Sequence, residues 1–197
     1  MAVLSHRICA WIAAAIFGAV QAQAEDFGSS LSKAAIERTQ HIVIYDGSYR
    51  VIAYPMGDIK SDRGACTDEV IRAYRAVGID LQQRVHEDMA RHFLAYPQSW
   101  GLSHTDTNID HRRVPNLERF FARHGKSLPL STNAADYRAG DIVTWRLESK
   151  IPHIGIVTDK RSPLNGNALV VHNIGYGPRA EDVLFAFPLA GHYRYEG

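Results

Sequence analysis

Near Asn133 the hydrophobic period of this 197-residue chain changes from helical to alternating, and that change restricts the fold more than any other feature. Upstream, apolar residues recur at helical spacing: Val70, Tyr74 and Val77 with Ile71 beside them, then Val85, Met89 and Phe93. The pattern predicts helices over residues 31–42, from Cys66 to a stop at Gly78, over 83–94, and from an N-cap at Asn116 to His124 before Gly125. Residues 49–54, between the Asp46-Gly47 turn and Pro55, read as a short strand. Downstream, 140–145 reads as a turn feeding a strand, 153–158 and 169–174 as two more, and 192–195 as an edge strand. Helices followed by antiparallel strands predict an α+β domain, its N-terminal helices packed on one sheet.

The first 24 residues read as a secretory signal peptide. His6 and Arg7 form a weakly basic start, residues 8–20 an apolar run, and Ala22-Gln23-Ala24 a cleavage site. The run falls short of the ~20 apolar residues a membrane span needs. A mature domain over 25–197 is therefore expected, periplasmic or secreted, without a transmembrane segment and monomeric. Losing Arg7 takes the formal charge from +1 to about zero, which argues against a nucleic-acid partner.

Cys9 leaves with the signal segment, so the exported chain keeps one thiol, Cys66. Cysteines in an oxidising compartment are usually paired, and an unpaired one is either a buried hydrophobe or kept for reactivity. Its surroundings, Arg63-Gly64-Ala65-Cys66-Thr67-Asp68-Glu69, lead from a glycine turn into the first turn of a helix. Backbone N–H groups and the positive dipole end there favour a thiolate. A base is needed as well, and His153, following Pro152 at a strand start, is the candidate. Strand alternation puts His153, Gly155 and Val157 on one face and Ile154 and Ile156 on the other. A third group must orient the imidazole. His172 and Asn173 compete for that role, and alternation alone does not choose between them.

The Cys66 helix start, Gly140-Asp141-Ile142-Val143, Pro152-His153-Ile154-Gly155-Ile156-Val157 and Val170-Val171-His172 together resemble the NlpC/P60 cell-wall cysteine peptidases. Cys66-Thr67-Asp68, Asn108 to Arg113, the Gly140 to Trp145 stretch and His172 to Gly175 resemble more closely the DUF1287 family of exported bacterial proteins, from about residue 34 to the C-terminus. The resemblance implies a papain-like fold with Cys66 as nucleophile, His153 as base and His172 as orienting group. It further implies hydrolysis of an amide bond in peptidoglycan stem peptide, with no cofactor and no metal. Ala65 and Thr67 depart from the Asp-Cys-Ser usual at the NlpC/P60 nucleophile.

The polar loop 105–113 is the other dense cluster. Its spacing fits neither a calcium loop, with His111 where glycine belongs and Leu117 where glutamate does, nor a common zinc pattern. Arg112 and Arg113 are candidates for clamping a substrate carboxylate and Asp110 for a further substrate contact, with ion pairing inside the loop the alternative. Asn173 and Tyr176 are further candidates for substrate contact, Tyr176 in the glycine-framed loop 175–177. Tyr45, Tyr49, Trp100 and Trp145 line a groove or pack in the core, and His86 and Asp88 read as a solvated helix face. Acyl transfer through the same thiolate and a non-catalytic wall-binding module are the competing functions.

Overall fold

The computed structural model describes residues 27–197, so the signal segment expected over residues 1–24 lies outside the described residues. Four α-helices lead: α1 over 27–38, α2 over Cys66–Ala76, α3 over Leu81–Arg91 and α4 over Val114–His124. Two strands, β1 (Ile44–Tyr45) and β2 (Arg63–Gly64), pair in parallel ahead of α2. The main sheet has six strands: β3 (Lys126–Ser127), β4 (Ile142–Arg146), β5 (Pro152–Arg161), β6 (Ala168–His172), β7 (Arg179–Glu181) and β8 (Leu189–Arg194). Their spatial order is β3-β8-β4-β5-β6-β7, with every pairing antiparallel. The architecture is α+β, and no helix among the described residues is long and apolar enough to cross a membrane.

Two cores sandwich the sheet. Ile142, Ile154, Ile156 and Val171 face the helices and meet Leu31, Val70, Tyr74, Leu117 and Phe121. Val143, Trp145, Val157 and Val170 face the other way, beneath Tyr137 and Leu184. Helix α1 docks through Ser32, whose Oγ donates to Asp159 Oδ1 at 3.1 Å and accepts its N–H at 2.9 Å. Its first turn presses Gly28 onto Gly140, where a Cβ on Gly28 would lie 2.5 Å from the Ala139 carbonyl oxygen. Asp141 of the Gly-Asp pair is fully buried and accepts His192 Nε2 at 2.8 Å and Arg194 Nε at 2.7 Å. That motif therefore ties the start of β4 to β8.

Three expectations need correcting. Residues 49–54 form no strand: the Ile52 N–H donates to Asn108 Oδ1 at 2.9 Å instead of a neighbouring backbone, and Val51 is left exposed. The C-terminal strand is interior, because β3 covers its outer side with a pair of residues too short to carry a periodic signal. Helix α4 begins at Val114, with Arg113 as N-cap, since Pro115 in the first turn needs no intrahelical N–H.

Candidate active site

Cys66 opens helix α2 after Ala65, whose extended backbone (φ −96°, ψ −175°) caps the helix without a side-chain oxygen. Asp68 compensates by accepting the Ala65 N–H at 2.7 Å. Arg112 then clamps that carboxylate, donating from Nε to Oδ1 at 2.7 Å and from Nη2 to Oδ2 at 3.0 Å. The same guanidinium donates to the carbonyls of Ser48 and Asp46, so the start of α2 is bolted to the 46–48 loop as well as to the segment that carries Arg112.

The backbone N–H groups of Ile154, Thr67 and Cys66 itself donate toward the sulfur and pull its pKa down, as a helix start should. Burial outweighs them: with Cys66 only 5% exposed, desolvation, aided by the Asp68 charge, pushes the thiol from 9.0 up to about 12. At rest Cys66 is therefore a thiol, against the thiolate the sequence led us to expect. Tyr45 is pushed up to about 12 by burial and by the Cys66 and Asp68 acids, so its hydroxyl stays protonated nearby.

The Ile154 N–H locates the sulfur. On β5, Val157 donates to Asp141 O and accepts from Gly140 N, both at 2.8 Å, so its backbone groups point toward β4. Strand geometry then turns the groups of Ile154 toward β6. The β5–β6 ladder starts only at Ile156↔Val171. Before it, the Asn173 side chain donates to Gly64 O at 3.2 Å and draws the segment ahead of Cys66 to this strand end. The sulfur thus lies by the Ile154 backbone, ahead of the first β5–β6 pair.

On the face away from the helices, His153 Nε2 and His172 Nδ1 are 2.8 Å apart and joined by a hydrogen bond. Of the two candidates, His172 is the one that meets His153, while Asn173 holds the loop before Cys66. His172 Nε2 in turn lies 2.9 Å from Glu181 Oε2. Trp145 floors the pair, its ring stacked on His153 at 5.6 Å between centroids. Gly155 is required here, because a Cβ would lie 2.8 Å from Val170 Cγ1 and 3.2 Å from His172 Cβ. Burial lowers His153 to about 3, with a further push from the His172 charge. Burial also lowers His172, opposed by Glu181. Among the described residues no hydrogen bond joins the sulfur to either imidazole; its contact is with the backbone of the residue after His153.

The remaining candidates are placed differently. Arg112 is buried and committed to Asp68, so it is not a free carboxylate clamp. Asp110 is fully buried, accepting the Asp106 N–H at 2.8 Å and facing His86 Nδ1 at 3.0 Å. The loop's carboxylates and arginines do not pair with one another, because Asp106 turns to Tyr49 and Asn108. Arg113 lies over the Trp100 ring, 4.5 Å from its centroid. Asn173 is fully buried, whereas Tyr176 is 76% exposed beneath the Arg179 guanidinium. Neither His86 nor Asp88 lies on a solvated face: Asp88 is buried and receives Tyr96 and Arg123. Trp145 is core, its Nε1–H donating to Leu184 O. No group of three or more His, Cys, Asp or Glu side chains among the described residues is arranged to hold a metal ion.

Sequence reasoning missed Glu181. It lies on the three-residue strand β7, too short for alternation to register. Only the pairing of His172 with Arg179 and of Val170 with Glu181 brings it beside the imidazole.

A protein-family model, described as a domain of unknown function (DUF1287), matches residues 32–195, a span holding Cys66, His153, His172 and Glu181. The chain is also 51% identical over 166 residues to the Escherichia coli (strain K12) "Uncharacterized protein YijF", covering 84% of this chain and 80% of that protein. A match of this extent, on both counts, makes this chain a member of the DUF1287 family.

Proposed function

We propose that the protein is an exported cysteine hydrolase with a papain-like, NlpC/P60-type fold that cleaves an amide bond in peptidoglycan stem peptide. The observation that carries this reading is the His153–His172 hydrogen bond of 2.8 Å beside a helix-start cysteine whose sulfur reaches the Ile154 N–H. His172 engages Nε2 of His153, so Nδ1, the ring nitrogen nearer the backbone, is the one His172 does not occupy. The substrate class and the periplasmic or secreted location rest on the resemblance to wall peptidases and on the signal segment.

With Cys66 up at about 12 and His153 down at about 3, the pair is neutral before substrate arrives. The thiol proton therefore passes to His153 Nδ1 as sulfur bonds the carbonyl carbon, and the carbonyl electron pair moves onto oxygen. Backbone N–H groups at the start of α2 and the Tyr45 hydroxyl are the candidate donors to that developing charge. Collapse of the intermediate breaks the carbon–nitrogen bond, and His153 returns its proton to the leaving amine. Water, deprotonated by the same nitrogen, then releases the acid and restores the thiol.

Mass spectrometry of muropeptides after incubation with purified wild type and Cys66→Ala tests the reading. Products from wild type alone support it, and equal digestion by both ends it. The burial of Cys66 favours one competitor, a wall-binding module with an inert cysteine. Wild type that sediments with peptidoglycan yet releases no product would support the competitor.

A further inference from the structure

We infer that Glu181 is a positioning residue that fixes the tautomers of both imidazoles and so makes His153 Nδ1 a proton acceptor. The inference rests on the catalytic reading above. A carboxylate oxygen accepts only, so the 2.9 Å contact puts a proton on His172 Nε2. A neutral imidazole carries one N–H, which leaves His172 Nδ1 with a lone pair. The 2.8 Å contact then requires the proton on His153 Nε2. His153 Nδ1 is left as a lone pair, the nitrogen to which the catalytic reading assigns the Cys66 proton.

Without Glu181 the two-imidazole chain runs equally well in reverse. His172 Nδ1–H would donate to His153 Nε2, and His153 Nδ1 would carry a proton and could not take another. When His153 does become a cation, the Glu181 carboxylate stabilises it through His172. The charged groups around His172 are His153, Glu181 and Arg179, the last paired opposite it on β7. Arg179 stands over the Tyr176 ring, 5.5 Å from its centroid, and His172 is the hydrogen-bond partner of the Glu181 carboxylate among the described residues.

Long-range nitrogen–proton NMR of the histidine rings reads the tautomers without substrate. Wild type is expected to show Nε2–H on both rings. Glu181→Ala should move at least about half of His153 to the Nδ1–H form and lower kcat/KM on muropeptide at least about tenfold, since a wrongly placed imidazole proton disables a base. Glu181→Gln keeps an accepting oxygen, so it should retain the wild-type tautomers while lowering the His172 pKa, and it serves if the alanine variant does not fold. Unchanged tautomers in Glu181→Ala, or an unchanged His172 titration in Glu181→Gln, would overturn the inference. Altered tautomers in a protein whose wild type cleaves nothing would instead count against the hydrolase reading and leave the tautomer assignment standing.

Discussion

Alkylation of Cys66 by iodoacetamide as a function of pH probes the resting state of the proposed site. The thiolate is the reacting form, and burial moves this thiol from 9.0 to about 12. Each pH unit between ambient pH and pKa costs a factor of ten in thiolate, so native Cys66 holds about 1,000-fold less than an exposed cysteine does at pH 7.5. The native protein should label about 1,000-fold more slowly than the same chain in urea. Its rate should climb about tenfold per pH unit to beyond pH 10 with no plateau. Intact-mass spectrometry against time supplies both rates, and a chain begun at residue 25 removes Cys9 from the measurement. A plateau below pH 7 would refute the reasoning, because it would mean a thiolate–imidazolium pair already formed at rest.

Arg112→Ala should lower stability by about 3–5 kcal/mol, since it leaves Asp68 charged and buried against the Ala65 N–H; a urea-melt difference under 1 kcal/mol would remove Arg112 from the helix-start clamp. Acid should unfold the protein through two neutral histidines, His153 and His111, both held at about 3. Their folded values lie below the ordinary 6.5, so the stabilisation is complete above pH 6.5 and is lost as the pH falls toward 3. Near pH 4–5 the slope should approach about 2.7 kcal/mol per pH unit for two protons taken up on unfolding, and urea melts with constant stability from pH 6.5 to 4 would contradict it.

What the sequence discloses here depends on the range over which each signal acts. Helix α2 and strands β4, β5 and β6 each bury a face along several residues, so their periods place them within a few positions. Alternation likewise separates His153 from Ile154 and His172 from Asn173 before any coordinates. It does not disclose which of His172 and Asn173 meets His153, because that depends on the pairing of β6 with β5. Arg112 looks like a surface clamp in sequence, and only the tertiary approach of residues 110–112 to α2 turns it onto Asp68. The ionisation of Cys66 was misjudged for a related reason. Helix-start donors are local and legible, whereas the desolvation that overrides them comes from tertiary packing of helices and sheet around Cys66, which no local pattern reports.

The adjacent pair His172 and Asn173 gives strand β6 a double duty. One residue holds the His153 imidazole on one side of the sheet, and the next moors the segment that leads into Cys66. Sliding β6 by a single position would exchange the two and break both attachments together. The strand's register thus acts as a shared ruler, and damage to either half of the centre should be felt by the other.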